Sequence, residues 1–298
     1  MNPKIRMWIS ALRLRTLPLS WAGIIAGTAM AARQGNWRSD VFIMSLITAS
    51  LYQILSNLAN DYGDGVKGVD NHQRKGPLRA VQSGIITPAQ MKRAVILTAF
   101  LSIVSTIILL FTAFGQVHKL YLLYLIIGLG AIWAAVKYTV GKNPYGYLGL
   151  GDLFVLIFFG CVAVCGVYFL HTGTWNPPII LPALVIGMMS MAVLNLNNMR
   201  DYETDQKNGK RTLAVKWGLR NAFAYHRGLL GISFLLLLYL IVLYPQNILG
   251  YLAPLPSLYL WWASYKLQQK NKAILYNEML KQTSLLTLIT ALLLWPFF

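Results

Sequence analysis

Nine apolar stretches divide this chain, and the charge between them alternates. A bilayer span needs about 20 mostly apolar residues, and candidates run at 16–32, 41–60, 94–114, 119–137, 148–170, 178–199, 222–243, 248–265 and 283–298. In chain order, the segments outside these spans, taken with Lys119, Lys137 and Arg227 near the adjoining span ends, carry four, two, six, one, two, no, seven, no and four Lys or Arg. Alternate segments therefore hold 23 of the 26 cations. Connections on the cytoplasmic side carry the Lys and Arg excess. The pattern thus places the N-terminus, the connections after the second, sixth and eighth spans, and the 138–147 loop in the cytoplasm. The expected fold is all-α: one polytopic transmembrane domain over 1–298, with about nine helices. Only 12% of residues are charged, against about 25% in a soluble domain. The formal charge of +17 is read as topology, so the bilayer is an expected partner and nucleic acid is not. The N-terminus is short and basic and lacks a small-residue cleavage pattern, so no cleavable signal is expected.

Against this apolar background, two windows concentrate the acids. The first, 57–84, holds Asp61, Asp64 and Asp70 among Lys67, Arg74, Lys75 and Arg79. The second, 195–218, holds Asn197, Asn198, Asp201, Glu203 and Asp205, followed by Lys207, Lys210 and Arg211. Six of the chain's nine acids lie in these two windows. Each closes an apolar run at the same predicted face, and Asn60 to Asp64 repeats the spacing of Asn197 to Asp201. The repeat suggests two halves facing each other around a cavity. On a helix, Asn57, Asn60, Asp61 and Asp64 share one side, as do Asn197, Asp201 and Asp205; Glu203 points away toward solvent. Carboxylates followed closely by cations suit a divalent metal bound to a phosphate ester. Mg²⁺ takes oxygen ligands and usually completes its shell with water and substrate phosphate.

Other features fill in the frame. Residues 4–15 recur at helical spacing as an amphipathic approach lying at the interface. Gly23 and Gly27 permit a close helix contact. Thr87 and Pro88 restart a helix as N-cap and first turn. Asp152 opens the fifth span; an acid there is a functional candidate or a helix-dipole partner. Cys161 and Cys165, four apart in a span, read as small apolar residues. The four histidines are scattered, without zinc-like pairing.

Taken together, N-D-x-x-D at 60–64 and D-x-x-x-D at 201–205 among about nine spans resemble the UbiA superfamily of intramembrane aromatic prenyltransferases. Within it, NLANDYGDGVKGVD followed by GPLRAVQSG, the piece YTVGKNPYGYLGLGD, and NNMRDYETDQKNGKRTLAVKWG resemble the branch that prenylates 1,4-dihydroxy-2-naphthoate for menaquinone synthesis. The general superfamily has a third acid where Gly68 stands, and Asp70 lies two residues further on. The resemblance implies a nine-helix bundle in the bacterial cytoplasmic membrane, with a cavity open to lipid. It implies Mg²⁺ as cofactor, and polyprenyl diphosphate and 1,4-dihydroxy-2-naphthoate as substrates. Asn60, Asp64, Asp201 and Asp205 match the magnesium positions, with Asp61 and Asn197 beside them. Lys67, Arg74, Arg79, Lys137, Lys210 and Arg211 are expected to meet phosphate oxygens. Tyr138 is expected to shield an allylic cation through its ring face. A cation for the acceptor's carboxylate is expected at Arg15 or Arg79, and an acceptor base at Asp70 or Asp152.

Three alternatives compete. Another member of the superfamily would use 4-hydroxybenzoate, homogentisate or a porphyrin with the same metal chemistry. The run from Asp61 to Gly65 reads D-x-x-D-G, as in CDP-alcohol phosphotransferases, but Gly68-Val69 replaces the expected A-R. A cation transporter would hold its acids near the midplane in broken helices; here they lie at one rim beside phosphate-type cations.

Overall fold

The structure is a computed structural model that describes residues 2–68, 78–116, 119–244, 247–270 and 272–295. Its helices are α1 (Pro3–Leu12), α2 (Leu17–Ala32), α3 (Ser39–Val66), α4 (Pro88–Phe114), α5 (Tyr121–Lys137), α6 (Gly151–Thr172), α7 (Ile180–Arg200), α8 (Tyr202–Lys207), α9 (Leu213–Leu243), α10 (Leu255–Lys270) and α11 (Ala273–Leu293). Among the described residues, most long helices fall on the predicted apolar stretches, but α10 begins seven residues after the 248–265 stretch does and α11 ten residues before the 283–298 stretch. Five of them, α3, α4, α6, α7 (with the Pro177–Ile179 turn before it) and α9, are long and apolar enough to cross a membrane by length and composition; α5 is a shorter apolar helix. The sequence pattern had suggested nine such spans.

Lipid offers no hydrophobic force between helices, so close packing of small residues does more of the work. A Cβ on Gly23 would stand 2.5 Å from the Ala163 Cβ, so α2 lies directly on α6 as the Gly23/Gly27 spacing predicts. Gly160 of α6 and Gly187 of α7 make the matching close approach on the other side. The helix α6 is wound to the wider π pitch over Leu156–Gly166, between these two contacts. Most of α7 is buried, and it packs against α2, α6, α9 and α11. It is therefore the inner post of the bundle. The pair α3–α4 forms the opposite wall.

Local signals set the ends. Thr87 and Gln90 form the reciprocal cap that starts α4, each side chain meeting the other residue's backbone N–H. Ahead of α2, α1 buries Ala11 and packs Met7, Trp8 and Leu12 on Leu55, Leu58 and Ala59, while Ile5 and Ile9 stay exposed. That two-sided apolar surface suits a helix lying in the interface. It ends at Arg13 in the left-handed region, φ 48°. From α3, the Asn57 amide donates to the Leu12 carbonyl at 3.0 Å and to Thr16 Oγ1 at 3.0 Å, tying this turn to the bundle.

Candidate active site

A chamber of about 410 Å³ runs between α2, α3, α5, α6 and α7. Its length follows α3. Ser45, Thr48, Ala49, Tyr52, Gln53, Ser56, Asn57, Asn60 and Asp64 all line it, at steps of three, four or one. Nineteen residues of helix at about 1.5 Å each make the wall about 28 Å long. One end is polar, with Asn60, Asp64, Arg79, Asn197, Asp201, Asp205 and Lys210. The remainder is largely apolar and aromatic, with Phe154, Phe158 and Phe159 of α6 facing Leu109, Tyr124 and Leu194.

Two windows that begin 138 residues apart meet at the polar end, and backbone geometry explains how. Asp201 N–H donates to the Asn197 carbonyl at 3.0 Å, and Asp205 N–H donates to Asp201 O at 2.8 Å. Asn197, Asp201 and Asp205 thus stay stacked although the helix breaks at Asp201, φ −93° and ψ 9°. After α8, Gly209 takes φ +71°. Lys210 N–H then returns to the Asp205 carbonyl at 2.9 Å, and Gly209 N–H to Gln206 at 3.2 Å. This six-to-one and five-to-two pairing needs the left-handed glycine. It turns Lys210 back over Asp205 and onto Asp64. The Lys210 ammonium lies 3.2 Å from both Asp64 oxygens and 3.9 Å from Asp205 Oδ1.

Asp64 is almost wholly buried and fully engaged. Arg79 Nη1 donates to its Oδ2 at 2.9 Å and to the Asn60 carbonyl at 2.9 Å. Tyr147 donates to Oδ1 at 2.7 Å. The Tyr147 ring also underlies two ammonium groups, Lys67 at 4.5 Å and Lys210 at 4.6 Å from its centroid. Burial pushes the Asp205 carboxyl up to about 7; Lys210 opposes the rise, and Asp201 and Asp64 add to it. Three carboxylates thus converge here among Arg79, Arg200 and Lys210, and Asp205 stands 3.9 Å from the Lys210 ammonium. The donors are all oxygen: the carboxylates of Asp64, Asp201 and Asp205 and the amides of Asn60 and Asn197. Among the described residues no three His, Cys, Asp or Glu converge tightly enough to enclose an ion unaided.

Not every expected residue joins this end. Asp61 does not: its Oδ2 accepts from Ala80 N–H at 3.0 Å and its Oδ1 from Val81 N–H at 3.1 Å. The helical stripe from Asn57 to Asp64 is wide, and neighbours on a helix point about 100° apart. Asn60 and Asp61 therefore face different spaces. Lys137 lies over the next turn, where a Cβ on Gly141 would meet its Nζ at 3.1 Å, and it is not part of the chamber wall. Arg211 and Glu203 are exposed; Arg211 contributes its backbone N–H, which donates to Tyr147 O at 2.8 Å. Lys67 stands at the rim and donates to the Thr139 carbonyl at 2.8 Å. Tyr138 does line the chamber. Asp152 sits behind that wall and accepts from Tyr225 at 2.9 Å. Asp70 and Arg74 lie outside the described residues.

A second, smaller chamber of about 100 Å³ adjoins the first. Its cations are Arg13, Arg15, Arg79, Arg200 and Lys281, and its one acid is Asp61, already committed to backbone N–H groups. Burial, and then Arg200 nearby, pushes the Arg15 guanidinium below its ordinary value. Crowded, partly desolvated cations make this chamber a place for an anion.

Sequence reasoning missed three residues here. Tyr147 stood in the quoted 138–152 segment, but its hydroxyl reach to Asp64 had no sequence signal. Arg200 sits beside Asp201, and the helix break lets it fork back onto that acid: Nε to Oδ1 at 2.9 Å and Nη2 to Oδ2 at 2.7 Å. Asn277 of α11 accepts from Arg200 Nη1 at 2.9 Å, and it lies in a segment the sequence marked only as a connection.

A sequence profile of the UbiA prenyltransferase family matches residues 20–296. The chain is 49% identical over 227 residues to the 1,4-dihydroxy-2-naphthoate octaprenyltransferase of Escherichia coli K12, covering 76% of this chain and 73% of that one. It is 44% identical to the protein of the same name from Haemophilus influenzae, covering 78% and 76%. The fold resembles that of a UbiA homolog from Archaeoglobus fulgidus bound to DMAPP and Mg²⁺, with a TM-score of 0.58 over 96% of this chain and 99% of that one at 16% identity.

Proposed function

The chain belongs to the UbiA prenyltransferase family, and from that premise we propose that it transfers a polyprenyl group from polyprenyl diphosphate to 1,4-dihydroxy-2-naphthoate, with loss of CO₂, giving the quinol form of demethylmenaquinone. The observation that carries this reading is the meeting of Asp64 with Asp205 and Lys210 at the one polar end of a long apolar chamber. It is supported by the relatives that carry the dihydroxynaphthoate name.

In this reading the prenyl tail lies along the apolar wall and the diphosphate at the polar end. Asn60, Asp64, Asn197, Asp201 and Asp205 would hold magnesium, which when bound supplies positive charge to the leaving diphosphate. Lys210, Arg79 and Lys67 neutralise what remains as the allylic C–O bond breaks. Tyr138 and Tyr147 present rings at the chamber wall near that bond, where an aromatic face stabilises a cation. The acceptor's carboxylate falls to the second chamber, where Arg13, Arg15 and Arg79 suit a planar anion. Its ring then faces the first chamber. The ring carbon bearing the carboxylate attacks the allylic carbon and forms the new C–C bond. The C–CO₂ bond breaks next, its electrons return to the ring, and CO₂ leaves. Loss of CO₂ takes the place of ring deprotonation, so carbon attack needs no base to remove a ring proton. The apolar walls keep water from the cation, which otherwise would be captured as polyprenol. The chain acts as one domain in the bacterial cytoplasmic membrane, with both acidic windows on the cytoplasmic side, as the cation distribution indicates.

Purified protein with Mg²⁺, polyprenyl diphosphate and carboxyl-¹³C dihydroxynaphthoate tests the reading. The expected result is a prenylated product without the carboxyl carbon, plus ¹³CO₂. Transfer to 4-hydroxybenzoate, homogentisate or a porphyrin, with none to dihydroxynaphthoate, would overturn the acceptor assignment.

A further inference from the structure

Arg200 joins the two chambers through Asp201 of the polar end, as Arg79 does through Asp64. It lines both spaces and is itself 6% exposed. Two of its nitrogens fork onto the two oxygens of Asp201, and the third is held by Asn277 Oδ1. Asp201 faces the first chamber with Asp64 and Asp205; Asn277, Lys281 and Ser284 of α11 face the second. A buried arginine carries one positive charge, and here most of it is spent on Asp201.

We propose that Arg200 couples the two substrate sites, so that metal–diphosphate bound at Asp201 strengthens binding of the acceptor's carboxylate in the second chamber. The inference rests on the reading above and deepens it. A dication at Asp201 takes over neutralisation of that carboxylate. The Arg200 charge is then no longer cancelled by its neighbour, and its field turns toward the second chamber a few ångströms away. The potential there, already set by Arg13, Arg15 and Arg79, becomes more favourable for an anion. The converse follows from linkage: an acceptor carboxylate drawing on Arg200 relaxes its fork on Asp201 and leaves more of that acid for the metal. Reciprocal effects of this kind run from about 5-fold to 150-fold in affinity. Asn277 matters because it fixes the third nitrogen. Without it, the fork on Asp201 remains but the third nitrogen is no longer held toward the second chamber. The coupling also favours order, with donor and metal loading first and acceptor second, so the allylic cation forms with its nucleophile in place.

The test measures binding, not turnover. The affinity of 1-hydroxy-2-naphthoate, which keeps the carboxylate and the neighbouring hydroxyl, is titrated by tryptophan quenching on the full protein in detergent. The titration is run alone and with Mg²⁺ plus a prenyl thiolodiphosphate that resists cleavage. The expected result is an affinity about tenfold tighter with the second ligand set, and the same factor when the order of titration is reversed. Arg200→Gln should bring the factor to about one; Asn277→Ala, which leaves the fork on Asp201 intact, should at least halve it. Equal affinities in the unaltered protein, with transfer to dihydroxynaphthoate intact, overturn the coupling and leave the function standing. A tenfold factor that survives both substitutions also overturns it. If hydroxynaphthoate does not bind under any condition while another acceptor is prenylated, the functional reading fails and the coupling with it.

Discussion

Asp61 separates a ligand role from a positioning role, and Asp61→Asn tests the difference. Its two oxygens each take one backbone N–H, from Ala80 at 3.0 Å and Val81 at 3.1 Å, and the residue is 1% exposed. Hydrogen bonds to a charged group are worth about 1.5–3 kcal/mol each, neutral ones about 0.5–1.5, and a buried donor left without a partner costs about 1–3. Asparagine keeps one acceptor, now uncharged, and turns an NH₂ toward the other N–H. The net loss is about 2–4 kcal/mol at this attachment. Residues 80 and 81 follow directly on Arg79, whose Nη1 reaches Asp64 and the Asn60 carbonyl. Hydrogen exchange at the two amides should speed up by about 30-fold to 1,000-fold, since about 1.4 kcal/mol is tenfold. The donor KM should rise with the loosened Arg79, while Mn²⁺ affinity stays within about twofold, the spread expected of an uninvolved site. If Asp61→Asn abolishes Mn²⁺ binding while the amides stay protected, Asp61 is a ligand and the positioning argument is wrong.

Other outcomes follow from the same geometry. Tyr147→Phe keeps the ring under Lys67 and Lys210 and loses the 2.7 Å bond to Asp64; kcat/KM should fall about tenfold or more, with thermal stability little changed. With its carboxyl raised to about 7 by burial, Asp205 is largely protonated below that pH, and proton and metal compete for the same oxygens. Isothermal titration should therefore show metal affinity climbing as pH rises from about 5.5 to 7 and levelling above, with proton uptake by buffer on binding; a flat profile would count against Asp205 as a ligand. Four carbon–carbon links of about 1.5 Å per isoprene unit project to about 5 Å, so a 28 Å wall holds about five to six units. Donors of eight and of six units should show KM values within a factor of about two of each other, and a three-unit donor should show a clearly higher one, because apolar contact is worth about 25 cal/mol per Å².

Much of this was legible in the chain. The alternation of cationic connections and apolar runs gave the helix positions, because the bilayer imposes one length and one charge rule on every span. The Thr87 cap was legible for a similar reason: it is a local solution to unpaired backbone groups. The repeated spacing, Asn60 to Asp64 and Asn197 to Asp201, signalled that the two helix ends would meet, and Asp64 and Asp201 line one chamber. What stayed hidden depends on contacts between distant segments. Nothing near Asp61 in sequence indicates that Ala80 and Val81 will present two N–H groups to it. Nothing near Arg200 indicates that the chain breaks at Asp201 and lets neighbouring residues fork together, or that Asn277 will arrive from the last helix. Lys137 is hard to place from sequence because a basic residue at a helix end looks alike whether it faces the chamber or the adjoining turn.

The account stands on one shared site built by α3 and the α7–α8 end. Mn²⁺ binding in the presence of a prenyl thiolodiphosphate, measured for Asp64→Asn, Asp201→Asn and the double variant, tests that directly. A shared site predicts that each single change removes nearly all binding and that the double change adds little further loss, the non-additivity expected of residues acting as a unit. Independent, additive losses, or full binding in either single variant, would contradict it.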